Sequence, residues 1–352
     1  MITTCRYANS GLWITPNGKM APCCQMQQTN VDYDLKNFYN HELFTSVREY
    51  NDNGKILDHP SCNTCLQQEN KGIYSRRRDS ASIIKQDHKI VKPRRLDISL
   101  SNTCNLNCAM CKPMYSSKWI STLKNMPEYI KNIVPQSETF SVSYDQIDEL
   151  LELISNTSTD ELELKLMGGE PFYDKKVLYF LEKLPCDIKI NIVTNLTNIN
   201  KELLDKFSNL QITASIDGIY EIYEYIRGYN WEEVDKNLKY CLSLDNLKEL
   251  LVVQPTITAY NYECWGKMYA YFKKIGVKNF NVQWALTTYL KAEHLGTEKW
   301  HEIDKSNTTP FKNPTRLYKS PTKQEKINFQ KFTKYWNSHR NLIWQEIDVS
   351  KY

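Results

Sequence analysis

"CNLNCAMCKP" (residues 104–113) sets three cysteines in eight residues at spacing C-x3-C-x2-C, with no further cysteine or histidine close by. Structural zinc sites and ordinary iron–sulfur clusters take four protein ligands. Three thiols leave one position of a metal centre open, and an open position marks a catalytic centre rather than a structural one. The bland alternative is a zinc knuckle or a chance grouping, and zinc would need a fourth ligand that the neighbouring sequence does not supply. What precedes the cysteines decides the architecture. "RRLDISLS" (residues 94–101) alternates at period two through Leu96, Ile98 and Leu100, so the triplet follows directly on a predicted strand.

Five more strand patterns follow: "ELELKLMG" (161–168), "DIKINIVTN" (187–195), "LQITASID" (210–217), "LKELLVVQPTIT" (247–258) and "KNFNVQWAL" (278–286). Helical periodicity fills the gaps in "SYDQIDELLELIS" (143–155), "DKKVLYFLEKL" (174–184), "INKELLDKFS" (199–208), "NWEEVDKNLKYCLSL" (230–244) and "NYECWGKMYAYFKKIG" (261–276). Six strands alternating with helices predict an α/β fold with a parallel sheet, closed or partly closed into a barrel. In such barrels function sits at the carboxyl ends of the strands. The triplet occupies one such end. "MGGEP" (167–171), "VTNLT" (193–197), "SIDG" (215–218), "ITAYN" (257–261) and "VQWAL" (282–286) occupy others.

C-x3-C-x2-C after the first strand, with GGEP after the second, resembles the radical S-adenosylmethionine (radical SAM) superfamily over residues 94–285. The resemblance implies a partial (β/α)6 barrel and a [4Fe-4S] cluster on Cys104, Cys108 and Cys111. It further implies that the open iron chelates S-adenosylmethionine, which is cleaved to a 5′-deoxyadenosyl radical that abstracts hydrogen from a substrate. Met110 then packs near the adenine, and Gly168, Gly169 and Glu170 hold the ammonium end of the cofactor. Thr194 and Asn195 lie near the ribose, with Leu196 where relatives have glycine. Ser215 and Asp217 face the ribose and the substrate, and Arg227 faces the cofactor carboxylate. Read alone, Asp217 equally suits a helix cap and Arg227 a solvated helix end. Gln254, Gln283 and Trp284 are substrate contacts or core and rim positions.

Residues 1–90 differ in texture: turn-rich, irregular and carrying five of the eleven cysteines. "TPNG" (15–18) predicts a tight turn between strands at 11–15 and 19–23, and "NHELFTSVREYNDNGK" (40–55) predicts a helix ending near Gly54. Cys5, Cys23, Cys62 and Cys65 suit a complete cluster or a zinc ion, with Cys24 as a spare ligand. The G-x4-C and C-x2-C elements resemble the auxiliary-cluster domain called SPASM, or its shortened twitch form, here placed before the barrel. That likeness favours an auxiliary iron–sulfur cluster over zinc, and a peptide or protein substrate that is oxidised or cross-linked. A nucleotide, sugar or nucleic acid is the alternative substrate. A non-catalytic iron–sulfur carrier or zinc module is the rival class, and it would have no use for GGEP. The resemblance also implies an electron donor such as flavodoxin or ferredoxin.

The remaining features bound the answer. Net charge is +4, 41% of residues are hydrophobic and 24% charged, which suits a soluble chain that tolerates an anionic substrate without demanding one. No run of about 18 apolar residues predicts a membrane span, and "MITTCRYANSGLWITPNGK" lacks the features of a signal peptide, so the expected location is cytoplasmic. "SRRRDS" (75–80) reads as an anion site or, more simply, a solvated linker face. Cys186, Cys241 and Cys264 read as core or incidental thiols. Residues 286–352 form a polar, aromatic extension with Pro310, Pro314 and Pro321 and one helical stretch over 324–347.

Overall fold

The computed structural model describes residues 4–347 except 16, 27–29, 71, 73–74, 84–92, 160–161, 286, 292–293 and 295–320. Pro310 and Pro314 therefore lie outside the described residues. The chain forms two compact units: residues 1–102, 140–192 and 201–209, and residues 103–139, 193–200 and 210–352.

The first unit is built on a mostly parallel sheet. Strands β1 (Gly11–Ile14), β3 (Arg95–Ile98), β4 (Glu163–Leu166) and β5 (Lys189–Thr194, whose last two residues belong to the second unit) pair in parallel in that order. The short β2 (Met20–Ala21) closes a hairpin antiparallel to β1. The amino-terminal zone is thus not a separate domain ending near residue 90, as the sequence pattern predicted. β1 hydrogen-bonds along β3 and extends the same sheet, because Leu12 and Ile14 continue the apolar face of that strand.

Register makes the two faces of this sheet unlike. The rows Leu12–Leu96–Leu164–Ile190 and Ile14–Ile98–Leu166–Ile192 are at most 1% exposed. Each such side chain contributes about 1.5–3 kcal/mol by leaving water. The alternate rows are Gly11–Arg95–Glu163–Lys189 and Trp13–Asp97–Lys165–Asn191. Parallel sheets normally bury both faces under apolar side chains. Here the second face carries ion pairs instead, Arg95 to Asp97 at 2.9 Å and to Glu163 at 2.8 Å. "SRRRDS" belongs to this unit and is not a solvated linker: Arg76 pairs with Asp97 at 3.3 Å, and the 5%-exposed Arg77 pairs with Glu69 at 2.5 Å.

Sequence signals explain the helices. Tyr144–Ser155 starts with a capping box, in which Ser143 and Gln146 each accept the other's backbone N–H. Asp174 caps Lys175–Lys183 by accepting the Lys176 N–H.

The second unit contains β6 (Leu210–Ala214), β7 (Val252–Val253) and β9 (Asn279–Phe280) in a parallel set, and β8 (Thr256–Ile257) paired in parallel with β10 (Gln283–Trp284). The fifth and sixth predicted strands are therefore each broken in two. Pro255 has no N–H to give a ladder, so the run through 247–258 cannot continue unbroken; its carbonyl instead accepts the Gln283 N–H at 2.8 Å. The helical stretch predicted over 324–347 is one helix, Lys323–Arg340, which stops where Asn341 turns left-handed at φ 53°. Among the described residues, no helix is long and apolar enough to cross a membrane.

Candidate active site

The second unit holds the cysteine triplet, Met110, Thr194, Asn195, Ser215, Asp217 and Arg227; the first holds Gly168, Gly169, Glu170 and the amino-terminal cysteines. The triplet loop is tied down at nearly every residue. The Leu106 N–H points at Cys104 Sγ at 3.5 Å. Ser117 Oγ accepts the Cys104 N–H at 3.1 Å. Ser116 caps the helix Ser117–Lys124 by accepting the Trp119 N–H, and donates its own proton to the Leu106 carbonyl. The buried Trp119 donates its indole N–H to the Cys108 carbonyl at 2.7 Å, and Met110 O accepts from Thr287 Oγ1 at 3.0 Å.

Burial pushes the Cys111 thiol up to about 12 and raises Cys108 as well, against the guanidinium charges of Arg227 and, for Cys108, also of Arg340. Guanidinium charge beside Cys108 and Cys111 suits a metal centre whose bound thiolates are negative. Among the described residues, no three His, Cys, Asp or Glu side chains are gathered for a single metal ion. A cubane cluster asks for something different, because each thiolate binds its own iron and the sulfurs stand further apart than around one ion. Cys104, Cys108 and Cys111 are chemically fit to hold it.

Asp217 and Arg227 form a buried ion pair. Arg227 Nε and Nη2 both lie 2.6 Å from Asp217 Oδ2, and Asp217 Oδ1 accepts the Thr256 N–H at 2.6 Å. Burial works against the Arg227 charge, but the Asp217 carboxylate outweighs it and raises the guanidinium's pKa. Both bland sequence readings therefore fail. Asp217 does not cap the helix Tyr220–Arg227, whose cap position is Ile219 without a side-chain bond. Arg227 is not a solvated helix end.

Asn195 organises the turn after β5. Its Oδ1 accepts from Thr197 N at 2.9 Å and Thr197 Oγ1 at 2.7 Å, and its amide donates to Asn105 Oδ1 on the triplet loop at 3.1 Å. The following Leu196 is fully buried yet sits at φ 57°, the left-handed region that favours glycine. That conformation costs about 1–2 kcal/mol. Leu196→Gly relieves it but removes a core side chain whose truncation costs about 2–5 kcal/mol. A net loss of about 2 kcal/mol is expected in denaturant titration. An unchanged or raised midpoint would show that the side chain contributes no more to the core than the backbone strain costs. The Ser215 N–H donates to the Thr194 carbonyl at 2.8 Å, and Asn281 bridges Gln254 and Gln283 through 2.8 Å amide bonds.

In the first unit, Gly168 stands at φ 84°, and a Cβ there would come within 2.6 Å of Ser99 Cβ at the end of β3. Only glycine allows that approach. Glu170 is 1% exposed and accepts the Phe172 N–H at 3.3 Å.

Cys5, Cys23, Cys62 and Cys65 line one cavity, together with Tyr7, Met26 and Arg77. Cys24 is absent from its lining. Burial raises Cys5 to about 11 and Cys62 to about 12. A bond from Cys23 lowers Cys24 to about 7, helped by Arg76 and Lys165. Metal binding here must displace thiol protons, so its affinity rises with pH. In the metal-free protein at pH 8, iodoacetamide is expected to modify Cys24 on the order of a hundredfold faster than Cys5 or Cys62. The Cys24 rate should level off above about pH 7, while the other two keep climbing towards 11–12. Peptide mass mapping against pH checks this; equal rates would overturn the distinction. Cys241 and Cys264 are buried and Cys186 is exposed.

Sequence reasoning missed Asn105, Asn107 and Arg340. Asparagines within a loop carry no distinctive signal, and Arg340 lies 233 residues from Asn107, the loop residue it binds.

The family model described as the radical SAM superfamily matches residues 98–282, over half of the chain. An uncharacterized protein of Methanocaldococcus jannaschii is 27% identical over 219 residues, 57% of this chain and 65% of that one. One of Borreliella burgdorferi is 24% identical over 313 residues, 75% and 63% respectively. The chain thus spans just under two thirds of the length of these curated relatives. Streptococcus suis SuiB, solved bound to S-adenosylmethionine, aligns with 94% of this chain and 70% of its own at 14% identity and a TM-score of 0.40. The chain belongs to the radical SAM superfamily, enzymes that use a [4Fe-4S] cluster and S-adenosylmethionine.

Proposed function

We propose that this enzyme modifies a peptide or protein, by oxidation or cross-linking, with one cluster on Cys104, Cys108 and Cys111 and an auxiliary iron–sulfur cluster on Cys5, Cys23, Cys62 and Cys65. The observation that carries the first assignment is the three-thiol loop at the end of β3, fastened residue by residue and flanked by Arg227 and Arg340. When bound, the cluster and S-adenosylmethionine supply a 5′-deoxyadenosyl radical that takes hydrogen from the substrate.

The protein's own groups orient the cofactor. Gly168 and Gly169 expose backbone, and Glu170 offers a carboxylate to the ammonium group through a charge-assisted bond. Arg227 has five N–H donors, of which Asp217 engages those on Nε and Nη2. The others suit the cofactor carboxylate. Thr194, Asn195, Ser215 and Met110 lie on the turns proposed to contact ribose and adenine. The auxiliary assignment rests on four thiols lining one cavity that excludes Cys24. The peptide reading rests on the SPASM-like cysteine pattern, and a flavodoxin- or ferredoxin-type donor in the cytoplasm completes it. The test is anaerobic reconstitution, dithionite reduction and addition of S-adenosylmethionine, with 5′-deoxyadenosine as the readout. A cluster-loaded protein that forms none would sink the assignment.

A further inference from the structure

We propose that Arg340, at the end of the carboxyl-terminal helix, is a positioning residue for the cluster loop that holds Asn107 in place and makes the adjacent cluster easier to reduce. The inference rests on the assignment of the cluster to Cys104, Cys108 and Cys111. Arg340 Nη1 donates to Asn107 Oδ1 at 3.1 Å and Nη2 to the Asn107 carbonyl at 2.9 Å, so the guanidinium grips side chain and backbone of the residue preceding Cys108. Its Nε donates to the Tyr225 carbonyl at 3.2 Å, two residues before Arg227. One planar fork thus joins the cluster loop to the helix that carries Arg227.

The approach is prepared on every side. The guanidinium lies over the Trp336 ring, 4.4 Å from its centroid. Trp336 stacks on Trp119 at 5.5 Å between centroids and on Phe332 at 5.2 Å, and Trp119 itself bonds to the Cys108 carbonyl. His339 Nε2 sits 3.0 Å from Asn107 Nδ2. Gly228 stands at φ 72°, and a Cβ on it would fall 2.0 Å from Arg340 Nη1. A side chain at 228 is incompatible with the guanidinium where it lies.

A fixed positive charge beside a cluster stabilises the more negative, reduced form. Losing it shifts the potential downward, while lysine keeps the charge but not the two-pronged grip. The experiment compares wild type, Arg340→Gln and Arg340→Lys, each reconstituted anaerobically, by redox titration followed by electron paramagnetic resonance of the Cys104/Cys108/Cys111 cluster. Amide hydrogen exchange of residues 104–111 is measured on the metal-free proteins. Arg340→Gln is expected to lower the reduced-to-oxidised ratio at fixed poise about tenfold, equivalent to about 59 mV for one electron. Arg340→Lys should recover most of that shift, and both variants should exchange faster at residues 104–111. Wild-type potential together with wild-type exchange in Arg340→Gln overturns the proposal, as does a shift that lysine fails to recover. If Arg340→Gln does not fold, Asn107→Ala, which deletes one prong, must still raise exchange in the loop, and unchanged exchange there overturns the proposal equally. A wild-type protein that holds no cluster on the triplet refutes the cluster assignment, whereas the exchange measurement on metal-free protein judges the grip by itself.

Discussion

Replacing Cys104, Cys108 and Cys111 together by alanine is expected to reduce 5′-deoxyadenosine formation to background while leaving roughly four irons on the protein. The reasoning is local. In the proposed centre each thiolate would hold its own iron, and with all three gone nothing in the loop would anchor the cluster. The amino-terminal thiols line a separate cavity, and the auxiliary cluster proposed there would keep its own iron. The fold should survive, because the loop is secured through Ser116, Ser117 and Trp119 by backbone bonds that do not involve sulfur, apart from the Leu106 N–H. A 5′-deoxyadenosine assay, iron and acid-labile sulfide assays and circular dichroism check the three points. Persistent 5′-deoxyadenosine would mean that the reactive centre lies elsewhere. Zinc without iron in the variant would replace the auxiliary cluster by a structural zinc site.

Asp217→Asn is expected to destabilise the protein by about 3–5 kcal/mol, because it leaves the buried Arg227 guanidinium without its counter-charge. That corresponds to a fall of roughly 10 °C in melting temperature. The carboxylate is fully buried and serves two partners, Arg227 through Oδ2 and the Thr256 N–H through Oδ1. An asparagine carbonyl can replace one of these contacts and none of the charge. The double variant Asp217→Asn/Arg227→Gln should lose less than the sum of the two single losses, since removing both charges together removes the desolvation cost as well. Thermal melts of the four proteins close the cycle. Additive losses would show that the pair is not coupled, and a single-variant loss under about 1 kcal/mol would place it in the class of solvent-screened pairs.

Much of the site could be read from spacing. The period-two runs became β3 to β6, and the triplet and GGEP follow β3 and β4 where strand-end chemistry belongs. The glycine at 168 also serves packing, which the motif did not announce: a Cβ there would meet Ser99. Leu196 shows the limit of such reading. The residue type argues against a left-handed turn, yet burial of its side chain outweighs the backbone strain and the turn keeps that conformation.

The sequence by itself determined the α/β class and the family, because strand periodicity and short motif spacings act over a few residues and need no partner. The tertiary structure alone decided that the amino-terminal zone joins the sheet through β1, that four of its five cysteines share a cavity, and that Asp217 answers Arg227. It alone brought Arg340 to Asn107. Those pairings depend on which faces the packed elements turn to one another, and hydrogen bonds between residues far apart in the chain leave no local pattern to read.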